Sequence, residues 1–334
     1  MHSQYLIKTA PCEVGGLGLK QGTSFDRDCH TIPLHGEDAL VPKHYVSKRR
    51  RRHKGSLAFL APEADPRVFC YAKGQLRQEE QNDAMLQCMA YWQQRTGQVP
   101  QELLFDSTLT TYINLNQLHH RGIECLTIRR RSPKMLTAIT PRPASAWRRV
   151  ERQNVSRAYR RPRVLDETIH LKDYDGPIRQ VTVAELGPEA PPLLLPNQLH
   201  RAPATLLERS AQRMGIEHSI ADGIEFFHRD ALSSAVAMKI TCDVQLTLMA
   251  RRLYRLRGTP VGRGYEAAKG RHILRDCIDA VGLIPLTDDA VIIRYQKRAH
   301  PPLLRAAGFA NTNVPVPWLG GKRLQLVFGE TVVV

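Results

Sequence analysis

Two short apolar runs, Leu57-Ala58-Phe59-Leu60 and Val68-Phe69-Cys70-Tyr71, flank Pro62, Asp65 and Pro66, and this spacing predicts an antiparallel hairpin. Met85, Met89 and Trp92 then recur at helical spacing, predicting a helix from near Gln78 to Thr96 that Gly97 stops. Pro100 opens a short strand, Glu102 to Phe105, which ends at Asp106. A second helix is predicted from Leu109 to His120, closed by Gly122, and an apolar run from Ile123 to Ile128 resumes the sheet. Hairpin, helix, strand, helix, strand is the order of an α/β core with mixed strands. Arginines and prolines then dominate residues 130–192, which read as an inserted, mostly β-rich segment. Leu193-Leu194-Leu195 re-enters the core as a strand, and a helix begins near Thr205. A long apolar helix follows from Ala231 to Leu256, ended by Gly258 and Pro260. A further helix is expected from Tyr265 to Val281, with strands at Ala290–Tyr295 and Leu324–Phe328.

The expected organisation is a weakly patterned tail at 1–23, a first core part at 24–129, the basic insertion at 130–192, a second core part at 193–258, and an α+β extension at 259–334. A chain of 334 residues is ample for a buried core.

Lysine and arginine number 48 against 32 acidic residues, a net charge of +16, which favours a polyanionic partner, with nucleic acid the first candidate. The cations cluster. Lys48-Arg49-Arg50-Arg51-Arg52-His53-Lys54 is one block and Arg129-Arg130-Arg131 a second. Arg148, Arg149, Arg152, Arg157, Arg160, Arg161 and Arg163 form a third. Such blocks suit phosphate contacts, or else solvated loops. Aromatic residues are not interleaved with them, so an exposed stacking platform is not indicated. The seven cysteines are scattered without paired spacing, against zinc and against a disulfide framework. No signal-peptide pattern opens the chain, and charges interrupt its longest apolar stretch, so the expectation is a cytoplasmic protein with no membrane partner.

Three carboxylates stand out by context: Asp28 in Asp28-Cys29-His30-Thr31-Ile32, Asp106 in Leu103-Leu104-Phe105-Asp106-Ser107, and Glu217 in Arg213-Met214-Gly215-Ile216-Glu217. Hard oxygen ligands converging by folding are what two divalent ions, Mg²⁺ or Mn²⁺, need to drive an in-line attack on a phosphodiester. A carboxylate at the C-terminal end of a strand, as at Asp106, is well placed for this, although Asp before a helix is also an ordinary N-cap. Ser210, Arg213, Glu217 and Ile224 share one helix face. Arg213, one turn before Glu217, suits a phosphate beside the metals or, more plainly, an ion pair with Glu217.

The segments Asp28-Cys29-His30-Thr31-Ile32-Pro33, Phe105-Asp106-Ser107, Arg213 to Asp222 and Phe226 to Ser234 together resemble the DDE transposases of bacterial insertion sequences in the IS-four group, over most of the chain from residue 26 onward. Such enzymes carry a glutamate on a helix with an arginine four residues before it. The resemblance implies an RNase H-like mixed sheet flanked by helices, with a β-rich insertion between the second and third acids. It implies Asp28, Asp106 and Glu217 as catalytic metal ligands for two ions, with Arg213 on a DNA phosphate. The substrates would be double-stranded transposon ends and target DNA, cleaved and then joined in DNA transposition, and a homodimer on DNA fits this role. Where the family commonly has tyrosine and lysine, this chain has Ser210 and Ile224, and Asp26-Arg27 stands where an apolar first strand is expected. Only 27 residues precede Asp28, fewer than an end-recognition region takes, so the expectation is an N-terminally truncated copy. The alternatives are a catalytically inactive DNA-binding remnant and a metal-dependent nuclease of the same fold without strand transfer.

Overall fold

The computed structural model describes residues 24–33, 43–46, 51–64, 68–74, 76, 80–109, 111–153, 160–186, 191–228 and 236–330. They divide into two compact units. The first takes the chain up to Ala221 together with the stretch ending at Leu246; the second takes Asp222–His228 and the chain from Thr247 onward.

The first unit opens with strands β1 (Ser24–Pro33), β2 (Lys43–Val46), β3 (Arg51–Pro62) and β4 (Phe69–Lys73). Helix α1 (Gln81–Thr96) follows, then β5 (Glu102–Phe105), α2 (Tyr112–His120) and β6 (Glu124–Ile128). Next come α3 (Pro133–Ile139), β7 (Trp147–Arg149), β8 (Arg163–His170), β9 (Pro177–Ala184), β10 (Leu193–Pro196) and α4 (Pro203–Glu225). Among the described residues the strands form one ten-stranded sheet in the order β2-β3-β1-β5-β6-β10-β9-β8-β7, with β4 also on β3. β1, β5 and β6 are mutually parallel, and their neighbours β3 and β10 are antiparallel to them. The result is a mixed α/β fold whose large mixed sheet is flanked by helices.

Local chemistry explains the boundaries. α1 ends where Gly97 takes a left-handed φ of 71° and returns its N–H to Gln93 O at 2.8 Å. Thr111 caps α2 by accepting from Asn114 N, and Ser132 caps α3 ahead of Pro133. On one face of the sheet Phe25, Phe59, Leu103 and Phe105 pack with Met85 and Trp92 of α1 and Leu115 and Leu118 of α2. On the other face Leu104, Leu126, Val181, Val183 and Leu194 pack with Leu206 and Leu207 of α4. Each such side chain, fully buried, is worth roughly 1.5–3 kcal/mol.

Asp26-Arg27 does not interrupt β1, which runs ten residues. Arg27 is 0 % exposed. Its guanidinium lies 5.9 Å from the rings of both Phe25 and Phe59, and its Nη1 donates to Met85 O at 3.4 Å. A long stem and a π-bound head let a cation occupy a core position in the strand. The insertion is β-rich as expected, but its strands are not a separate layer. β10 pairs with β6 on one side and β9 on the other, so β7 to β9 extend the core sheet.

The second unit takes the end of α4 and most of α5 (Ala237–Val261), then a short α6 (Gly270–Ile273) continued by a π-turn at Leu274–Ile278. A four-stranded sheet β11-β12-β14-β13 follows, from β11 (Gly282–Leu283), β12 (Ala290–Gln296), β13 (Asn313–Val316) and β14 (Lys322–Glu330), with α7 (Pro301–Ala306) inserted. The helix expected from Tyr265 to Val281 is therefore shorter. Positive φ at Gly262, Arg263 and Gly264 forces turns through this stretch, and α6 starts only where Asp222 accepts the Gly270 N–H. The first six residues of the apolar helix expected from Ala231 precede the observed start at Ala237, and residues 229–235 lie outside the described residues. No described helix is long and apolar enough to cross a membrane.

Candidate active site

β1 and β5 run parallel with Ser24 beside Glu102, Asp26 beside Leu104 and Arg27 beside Phe105. Asp28 is the next residue of β1, and Asp106 follows the last residue of β5. Phe25, Cys29, Leu103 and Phe105 pack in the cluster that holds α1, while Leu104 packs with α4 on the other face. Both carboxylates are half-buried. Each is steadied by the amide that follows it: Asp28 Oδ1 accepts from Cys29 N at 2.8 Å and Asp106 Oδ1 from Ser107 N at 2.5 Å. The shared field shows on Cys29, whose thiol is pushed up to about 12, chiefly by burial and further by Asp28 and Asp106 against a hydrogen bond from Gln81.

Glu217 lies in α4, and its side chain is outside the described residues. Arg213, one turn earlier, is half-buried, and its Nε makes no hydrogen bond among the described residues. Among the described residues no three His, Cys, Asp or Glu side chains form a cluster able to hold a metal.

At the other end of the same strands an ionic network fastens α4 to the sheet. Arg209 Nη2 donates to Ser24 Oγ at 2.6 Å and its Nε to Glu102 Oε2 at 3.0 Å, while Ser24 Oγ donates to Glu102 Oε2 at 2.8 Å. Arg201 bonds Glu102 and, at 2.8 Å, Glu124. Burial raises the Glu102 carboxyl, but Arg209, Ser24 and Arg201 outweigh it and hold the group below its ordinary value. No local pattern signals this network, because its members lie up to 185 residues apart.

The basic blocks fare differently. Arg49 and Arg50 lie outside the described residues, and Arg51 and Arg52 open β3 with side chains that are not described. Arg129 is half-buried, donating through Nε to Tyr112 Oη at 3.2 Å and through Nη1 to Gln180 Oε1 at 2.6 Å. Arg130 and Arg131 are exposed, and Arg130 Nε donates to Ser107 O at 3.1 Å. Much of the third block is neutralised internally. Arg148 pairs with Asp166, Arg149 and Arg163 with Glu185, and Arg160 and Arg161 with Glu151.

Two acids near Glu217 are committed elsewhere. Within the second unit the Asp222 carboxylate accepts from Gly270 N at 3.1 and 3.3 Å, with Arg251 Nε 3.8 Å away, and Glu225 pairs with Lys269 at 3.1 Å. A Cβ on Gly270 would stand 2.5 Å from Phe226 Cδ1 and 2.9 Å from Phe227 Cε2. Gly270→Ala is therefore expected to destabilise the chain by about 1–3 kcal/mol, read as a lower urea midpoint; an unchanged midpoint would mean the rings yield freely.

No family model matches the chain, and no curated protein matches it. Among solved structures it is similar to the cryo-EM structure of piggyBac transposase synaptic complex with hairpin DNA, at a TM-score of 0.43 and 11% sequence identity, covering 83% of this chain and 60% of that one. The chain thus spans 60% of the length of the structure it matches.

Proposed function

We propose that this chain is a DNA transposase of the insertion-sequence kind, with an RNase H-like core that performs divalent-metal-dependent strand cleavage and strand transfer. The observation that carries the reading is the parallel register of β1 and β5, whose last pair, Arg27 beside Phe105, comes immediately before Asp28 and Asp106. Dimensions support the third acid joining them. Arg209 fastens α4 level with Ser24 and Glu102. From there eight helical residues lead to Glu217, about 12 Å, and four strand residues lead from Ser24 to Asp28 and from Glu102 to Asp106, about 13 Å. A helix climbing the sheet would bring Glu217 to the height of the two aspartates.

In this reading Asp28, Asp106 and Glu217 hold two Mg²⁺ or Mn²⁺ ions, which when bound supply an activated nucleophile and neutralise the leaving oxygen. The chain's part is preorganisation. The Cys29 and Ser107 amides fix one oxygen of each aspartate, and Arg213 sits one turn from Glu217 to take a phosphate.

The test uses the full chain with supercoiled plasmid, and with a labelled duplex ending in a free 3′-hydroxyl. Nicking that appears with Mg²⁺ or Mn²⁺ and vanishes with EDTA supports the metal site, and joining of the labelled end to plasmid supports strand transfer. Nicking without joining would leave a nuclease, and binding without nicking a DNA-binding remnant.

A further inference from the structure

Hydrogen bonds divide the Arg129-Arg130-Arg131 triplet. β6 pairs with β5 in parallel, Leu104 beside Leu126 and Phe105 beside Thr127, so both strands end at one edge. Leu126 and Ile128 lie on the α4 face. Arg129, the next residue, turns to the opposite face, where Tyr112 of α2 and Gln180 of β9 take its donors. Arg130 lies two residues beyond β6. It is exposed, and its Nε donates to the carbonyl of Ser107, the residue whose own N–H is held by the Asp106 carboxylate. A single residue, Ser107, thus bridges the guanidinium to the second acid.

We infer that Arg130 is the positioning residue that holds a DNA phosphate at the Asp106 side of the site, and that Arg129 is a strut with no DNA contact. This rests on the transposase reading of Asp28 and Asp106. The hydrogen bond to Ser107 holds an exposed cation beside Asp106, where its charge suits a phosphate oxygen. Sited there, Arg130 would grip the backbone without reading bases.

Salt dependence of duplex binding separates this from a purely structural role, because each phosphate contact contributes about 0.9 to the slope of log K against log salt. Arg130→Ala should make the slope shallower by about one, weaken binding to unrelated duplexes alike and leave the melting temperature unchanged. Arg130→Lys, which keeps the charge, should keep the slope. Arg129→Ala should lower the melting temperature and leave the slope of the wild type. An Arg130→Ala slope equal to wild type, with or without a lower melting temperature, would overturn the assignment. If the wild type nicks in Mg²⁺ while that slope is unchanged, Arg130 is dismissed and the transposase reading stands. If the wild type shows no salt-dependent DNA binding, both fall.

Discussion

Asp106→Asn and Glu217→Gln are each expected to remove Mg²⁺-dependent nicking while duplex binding survives. Each substitution keeps side-chain size and deletes one negative charge from a ligand set that must offset two divalent ions. A metal supplies several kcal/mol of transition-state charge stabilisation. Losing about 4 kcal/mol of it slows the reaction about a thousandfold. Binding persists because it depends on phosphate contacts elsewhere. Asp106 also has a local role, accepting the Ser107 N–H, and asparagine retains an oxygen for that bond, so a folding defect is not expected. Nicking by Glu217→Gln at the wild-type rate would remove Glu217 from the site. Asp222 and Glu225 would be poor replacements, since Gly270 and Arg251 occupy the first and Lys269 the second.

Glu102→Ala is expected to be the most destabilising single change in the first unit. It leaves Arg201 and Arg209 facing the sheet without their shared carboxylate, which is 8 % exposed. Breaking a buried ion pair from one side costs about 3–5 kcal/mol, a large part of the roughly 5–15 kcal/mol that holds a domain together. The pH dependence follows from the lowered Glu102 pKa. A carboxylate depressed by folding contributes stability above its unfolded value of about 4.3 and loses it as pH falls through the lower folded value. Wild-type melting temperature should therefore drop in that acid window, and Glu102→Gln should start lower and drop less. Parallel acid profiles for the two proteins would show that another carboxylate carries the effect.

Much of the first unit was legible because short-range rules decide it. Glu102–Phe105 is a strand where Pro100 and Asp106 bound its apolar run, and α1 stops at Gly97. What was hidden depends on partners distant in sequence. Charge predicts exposure, so the burial of Arg27 against Phe25 and Phe59 had no local signal. The β content of the insertion could be read, but its merging with the core sheet through β10 could not, since pairing is a long-range choice. Three consecutive arginines look alike in sequence; their partners tell them apart, Tyr112 and Gln180 for Arg129 and Ser107 for Arg130. The three acids were proposed from their motifs, and the parallel register of β1 and β5 runs up to the residues just before Asp28 and Asp106, which no local pattern could give.

That register also constrains how the chain is made. β1 is an interior strand, bonded to β3 on one side and β5 on the other. Its Ser24 meets Glu102 across 78 residues and Arg209 across 185. At a synthesis rate of about 5–20 residues per second, the strand bearing Asp28 leaves the ribosome on the order of 10–40 s before the arginine that fastens α4 over it. Throughout that interval β1 lacks its parallel neighbour or the helix that fastens to its first residue. The fold closes from its middle last, and nascent chains would depend on chaperone cover until α4 emerges.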